Sequence, residues 1–299
     1  MTSASPMPNP TPNAELSGWL KLREAADAAA RATTLIEDAV RTLADTDPVR
    51  VLDLGTGAGS NLRYLIPRLP PRQRWLVVDR GDDLLADLLA RTAPWATARG
   101  LSAHADGGRL TISGSDLDCV VETRQLDLGP LADGSIFEGR HLVTASALLD
   151  LVSASWLATV AGHCRQQGST ALFTIIYNGT SHGDPVEPED ALVLELFNRH
   201  QRTDKGLGGP AAGPGATETA RQAFEREGFR VRTEASDWTI GPDAREMQQY
   251  LIDGWAFAAS EVSPRDAPAI ADWQRRRLAC IDAGRSTLTV GHFDLLATP

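Results

Sequence analysis

A chain of 299 residues, 42% hydrophobic and 23% charged, has enough apolar surface for one elaborated globular domain or two ordinary ones. Its formal net charge of -10 repels phosphate backbones and anionic bilayers, which argues against nucleic acid or membrane as partners. Three scattered cysteines give neither a disulfide framework nor a metal-ligand spacing, so a cytoplasmic protein without a metal is expected.

Residues 1–13, rich in Pro and Ser with no basic start or apolar stretch, read as a disordered tail rather than a signal peptide. Over residues 14–47, Leu16, Trp19, Leu20, Ala26, Ala30, Leu35 and Val40 recur near helical spacing, which predicts one helical cap ending at Pro48. Residues 49–54 form a short apolar run bounded by Gly55, the pattern of a buried parallel strand. Beyond Gly59, Leu62, Leu65, Ile66 and Leu69 predict a helix that Pro67 cuts short. A second strand, 75–78, stops at Asp79, and Leu84, Leu85, Leu88 and Leu89 mark one face of the next helix. Residues 100–115 are polar and glycine-rich and read as a loop, followed by a third strand, 119–126, that ends at Asp127.

A fourth strand covers 141–146. Ser153 or Ser155 caps the following helix, whose inward face is Trp156, Leu157, Val160, Ala161 and Cys164 and which closes at Gly168. Residues 170–177 are a nearly continuous apolar fifth strand. After Tyr177 the alternation breaks: an insert over 178–215 holds a helix, 189–201, and a Gly/Pro loop of the length that functional segments have. A helix at 217–227 and a half-exposed strand at 229–234 follow, then helices near 244–261 and 267–282 and a last strand at 288–296. The division expected is a core over 48–236 and 286–299, with a second helical insert, 237–285, that acts with the first as a lid.

The strongest motif is Val51-Leu52-Asp53-Leu54-Gly55-Thr56-Gly57-Ala58-Gly59, between a buried strand and a helix. Glycines there permit the sharp turn and a close backbone approach to a ligand. Asp79, about two dozen residues on, ends the next strand, near the spacing of ~20 expected of a carboxylate that takes ribose hydroxyls. A dinucleotide site favours a third glycine where this chain has Ser60, and Asp53 before the glycines repels a pyrophosphate but suits a sulfonium.

On these residues the sequence resembles the class I S-adenosylmethionine-dependent methyltransferases of small molecules, over roughly residues 49–177 and plausibly the last two strands. The resemblance implies a Rossmann-like α/β fold, doubly wound, with a mostly parallel seven-stranded sheet whose last strand is antiparallel. It implies S-adenosylmethionine as cofactor, with Asp53, Gly55, Gly57 and Gly59 along its methionine half, Asp79 on its ribose and Asp127 near its adenine. Ser146, expected on the cofactor too, opens the acceptor-facing segment Ser146-Ala147-Leu148-Leu149-Asp150, which lacks the Asn/Asp-Pro-Pro-aromatic pattern of nucleobase methyltransferases. The large insert before the last strand departs from the family. The acceptor expected is a small polar metabolite. A nicotinamide-dependent oxidoreductase and a nonenzymatic cofactor-binding protein are the alternatives, and a homodimer stays open.

The densest polar cluster, 200–206, supplies His200 or Asp204 as a base and Arg202 and Lys205 as an anion clamp, although a basic helix end with a solvated loop reads the same way. Asp150, Tyr177 and Trp238 are expected to wall the acceptor pocket. Arg23 can reach the methionine carboxylate if the N-terminal helix closes over the cofactor. His292 reads as a packed sheet residue.

Overall fold

Val49–Leu54 (β1) is buried except at Arg50 and lies at the centre of the sheet, paired in parallel with Arg72–Asp79 (β2) and Leu142–Ser146 (β6). Both faces of such a strand are covered, which is why its sequence reads as a run and not as an alternation. The computed structural model describes residues 12–131 and 133–299, and the side chains of these except 12–15. Most of the tail expected over 1–13 lies outside the described residues, and Pro12 already opens a helix.

The ten-stranded sheet runs Ser102–Asp106 (β3), Arg109–Ser113 (β4), Asp118–Gln125 (β5), β2, β1, β6, Thr170–Asp184 (β7), Thr287–Thr298 (β10) and Arg230–Ala235 (β8), with the short Trp238–Ile240 (β9) pairing to β10 off this path. Strands β5 and β7 continue the parallel centre. Strand β10 lies antiparallel between β7 and β8.

Helices cover both faces. On one, Thr33–Thr42 (α2), Ser60–Leu65 (α3) and Asp82–Thr97 (α4) bury residues such as Leu35, Leu62 and Leu88, each fully buried side chain contributing ~1.5–3 kcal/mol. On the other, Ala154–Gln167 (α5) and Ala216–Arg226 (α7) pack Trp156, Val160 and Phe224. Ser153 caps α5 by accepting from the Trp156 N–H at 3.1 Å, and left-handed Gly168 ends it.

A third apolar cluster forms a roof over the carboxyl edge of the sheet. It joins Asp190–Gln201 (α6), Arg245–Val262 (α8), Ala267–Asp282 (α9) and β9 to the sheet, with Trp19 and Leu22 of Pro12–Ala30 (α1) packed against it. Buried Arg277 of α9 binds Asp190 and the Pro185 carbonyl, which ties α9 to α6.

Four expectations need correction. Residues 100–115 are not a loop: Ser102–Asp106 (β3) and Arg109–Ser113 (β4) form a hairpin on the sheet edge, so the sheet exceeds seven strands. The single helix over 14–47 breaks between α1 and α2, where the Ala32 N–H leaves the helical ladder to donate to Asp294 Oδ2 at 2.9 Å. The fifth strand does not stop at Tyr177; β7 runs to Asp184 because β10 pairs with it that far. Trp238 lies in a strand of its own.

Candidate active site

The turn after β1 holds Gly55, Gly57 and Gly59 at φ of 61°, 53° and 82°, a region that side-chain-bearing residues rarely enter. A Cβ on Gly57 would stand 2.9 Å from Leu20 Cδ1, and one on Gly59 2.7 Å from Leu88 Cγ, so α1 lies directly on the glycine loop and α4 directly behind it. Asp79 ends β2 beside this loop. Its Oδ2 accepts the Gly57 N–H and its Oδ1 the Gly81 N–H, each at 2.9 Å, and each oxygen keeps a further acceptor lobe.

Gly55, Gly57, Asp79 and Gly81 line a cavity of about 380 Å³ together with Leu20, Leu84, Ser146 and Lys205, whereas Gly59, expected along the cofactor, packs against Leu88 and does not line it. Arg23 lines it too, and with Ala147 and Leu151 it also lines a second cavity of about 350 Å³. The two therefore share a wall at the carboxyl edge of β6. Both lie in the size range of small-molecule sites.

The second cavity is walled by Trp19, Tyr177, Phe197, Trp238 and Trp255, with Asp150, His200 and His292 among them. Burial raises the Asp150 carboxyl to about 6, against the pull of its own backbone amide and of Arg23. Burial lowers His292 to about 3, assisted by Arg23, so its imidazole is neutral at physiological pH. Its Nδ1 is buried with no hydrogen-bond partner among the described residues. Burial, and then the Asp150 charge, raise the Tyr177 hydroxyl, which donates to Asn198 Oδ1 at 2.9 Å. Trp238 Nε1 donates to Asp27 Oδ1 at 3.1 Å, fixing the indole beneath α1.

Two non-glycine residues of this cavity have strained backbones: Ala147 at φ 50° and Ile175 at φ 55°. The Ile175 N–H donates to Asp294 Oδ1 at 2.8 Å where the pairing of β7 with β10 slips register. That irregularity places both Ile175 and Tyr177 on the cavity side. Strain of this kind persists only where surrounding contacts hold it.

Asp53 corrects the electrostatic expectation. It has no exposed surface and does not line the cavity: Oδ2 accepts from Thr56 Oγ1 and Oδ1 from Asn61 Nδ2, both at 2.7 Å. Burial raises its carboxyl to about 6 although those two hydrogen bonds and nearby Arg31 oppose the shift. It braces the glycine turn from behind and cannot touch a sulfonium. Buried Arg31, which sequence reading passed over, completes the network by donating to Asn61 Oδ1 at 2.7 Å and Ser146 Oγ at 3.2 Å.

The polar cluster at 200–206 divides. Lys205 reaches the first cavity and His200 the second, with Lys205 Nζ 3.4 Å from His200 Nδ1 and His200 Nε2 3.3 Å from Glu261 Oε2. Arg202 is exposed and donates to the Asn198 carbonyl at 3.0 Å, while exposed Asp204 accepts the Gly206 N–H at 2.7 Å. Both satisfy local backbone groups and line neither cavity, so the clamp and base expected of them have no geometric footing. Exposed Asp127 accepts the Gly129 N–H at 2.9 Å, and its neighbour Leu128 lines the first cavity. Trp19, Phe197 and Trp255 were not marked as site residues because only the tertiary fold brings α1, α6 and α8 together.

Among the described residues no group of three or more His, Cys, Asp or Glu is placed to hold a metal, and no helix is long and apolar enough to cross a membrane.

The strand order decides the fold type. A dinucleotide-binding sheet is parallel in the order 3-2-1-4-5-6, whereas here antiparallel β10 is wedged between β7 and β8. This is the Rossmann-like methyltransferase fold. No family model and no curated protein matches the chain. Among solved structures it is similar to a cyclopropane-fatty-acyl-phospholipid synthase-like protein from Lactobacillus casei, at 13% identity and TM-score 0.49, over 97% of this chain and 94% of that one. It is also similar to a SAM-dependent methyltransferase from Thiobacillus denitrificans in complex with S-adenosyl-L-homocysteine, at 13% identity and TM-score 0.42, over 94% and 98%. A third is the cyclopropane synthase MmaA2 from Mycobacterium tuberculosis, at 12% identity and TM-score 0.44, over 89% and 84%.

Proposed function

We propose that the protein is an S-adenosylmethionine-dependent methyltransferase whose acceptor occupies the aromatic cavity. The observation that carries this reading is the wall shared by the two cavities at Arg23, Ala147 and Leu151, next to a glycine turn braced by Asp79. A Rossmann-like fold alone does not specify a reaction, but two adjoining sites are what a transfer between two ligands needs.

Bound in the first cavity, the cofactor supplies a methyl group on a positively charged sulfur. Asp79 fits its ribose hydroxyls through the remaining acceptor lobes, and the Leu128 side of the cavity, beyond Asp127, fits its adenine. Arg23 and Lys205 fit its carboxylate, with Ser146 on the same wall. Leu16 and Leu20 of α1 keep water from the shared wall. In the second cavity the aromatic walls orient the acceptor, and Asp150 Oδ holds the proton that an O–H or N–H acceptor gives up. A carboxyl held at about 6 is mostly ionised at neutral pH and so ready to take it. Asp150 thus replaces His200 and Asp204 as the base.

Isothermal titration tests the reading: S-adenosylmethionine and S-adenosylhomocysteine should bind the full chain with one-to-one stoichiometry and reduced nicotinamide dinucleotide should not. Binding of the dinucleotide alone would overturn it.

A further inference from the structure

The second cavity has a polarity gradient. At depth lie Asp150 and His292, buried beside Trp238. Its rim is made by Tyr250, 45% exposed, and Phe257, 66% exposed, both on α8. Between them stands Gly254. Glycine is the poorest helix former after proline, so one inside a helix costs stability. Gly254 has an ordinary helical backbone, and a Cβ built on it meets nothing within 4 Å, as at Gly18 and Gly162 in α1 and α5. At four residues after Tyr250 and three before Phe257, it shares their helix face and lines the cavity. Its missing side chain leaves open space at this exposed position, a slot between Phe257 and a Tyr250 ring that stacks on Trp19 with centroids 4.4 Å apart.

Resting on the methyltransferase reading above, we infer that the acceptor is a planar aromatic compound bearing an ionisable hydroxyl, which enters flat through the slot at Gly254. Its ring lies among the aromatic side chains and its hydroxyl faces Asp150 and His292. A planar ring suits stacking on fixed indole and phenyl faces. A quaternary ammonium ligand fits less well, because Arg23 already lines this cavity with its guanidinium carbon 5.9 Å from the Trp238 ring centroid. A long aliphatic chain does not match a polar floor. The small polar metabolite expected from sequence does not match an aromatic wall.

The test uses the full chain and two probes, 2-naphthol and choline, titrated calorimetrically with S-adenosylhomocysteine present. Wild type should bind 2-naphthol saturably at one site and choline at least tenfold more weakly. Gly254→Leu should weaken 2-naphthol at least tenfold while leaving S-adenosylhomocysteine affinity within twofold and the melting temperature no lower, since leucine favours helix. No saturable 2-naphthol binding, tighter binding of choline, or a Gly254→Leu variant that binds 2-naphthol like wild type overturns the inference. The two readings fail separately. Loss of S-adenosylhomocysteine binding in wild type sinks the methyltransferase, whereas absent 2-naphthol binding beside intact S-adenosylhomocysteine binding sinks only the acceptor class.

Discussion

Asp53 and Asp150 are both buried carboxyls raised from 3.8 to about 6, yet they stand in opposite circumstances. Both Asp53 oxygens are matched by side-chain donors, whereas Asp150 lines a cavity. A raised folded-state pKa means that the native protein holds the proton more tightly than the unfolded chain does. Stability therefore falls as pH rises from about 4 to about 6 and stays lower above that, by up to ~3 kcal/mol per group for a rise of roughly two units. Asp150→Asn should accordingly stabilise the fold by ~1–3 kcal/mol at pH 8, a gain that vanishes below pH ~4, while lowering kcat by ~10²-fold or more. Asp53→Ala should destabilise at every pH, since it leaves the Thr56 hydroxyl and the Asn61 amide without the acceptor they share. Chemical denaturation of both variants at pH 4 and pH 8 separates the cases; equal behaviour would refute the division of roles. That Gly55, Gly57 and Asp79 meet at one cavity was legible because motif and spacing are local. The role of Asp53 was not, since sequence gives its position beside a ligand loop but not the Thr56 and Asn61 groups that close over it.

At the scale of elements, the joint between α1 and α2 couples the roof to the glycine turn. Arg31 at that joint bonds Asn61 and Ser146, and Asp294 holds both the Ala32 and the Ile175 N–H. Periodicity could not show this break, because the apolar spacing continues across it. The β3–β4 hairpin escaped notice for a related reason: β3 has no buried residue, so only Leu110 and Ile112 on β4 alternate inward and the Gly107-Gly108 turn stood alone as a signal. Long parallel strands, covered on both faces, read clearly. Arg31→Met should leave three buried carboxylates, Asp27, Asp53 and Asp294, without a cation that now attracts them, costing ~3–5 kcal/mol by analogy with broken buried ion pairs. Cofactor affinity should fall with it, as Asn61 loses its partner. Urea unfolding and S-adenosylhomocysteine titration of the variant measure both, and an unchanged midpoint would show that the joint is not held by this side chain.

Across the whole molecule, the two apolar clusters on either side of the sheet contain no described residue of α1, which rests on the roof and the glycine loop and is tied to α3 and α4 by polar contacts, Glu24 to Arg63 and Ser17 to Asp87 and Arg91. One helix thus covers both cavities, Leu16 and Leu20 over the first, Trp19 over the second and Arg23 over both. An element that can leave without dismantling the main cores belongs to the low-stability end of local opening equilibria. A cofactor bound in the first cavity, by adding contacts to Leu20 and Arg23, should favour the closed helix by its differential affinity for the two states. Backbone amides over residues 16–27 should exchange with solvent at least tenfold more slowly once S-adenosylhomocysteine is bound, while β1 and β6, buried in both states, keep their rates. If α1 is equally protected with and without ligand, the helix is a fixed wall and the cofactor enters the first cavity without displacing it.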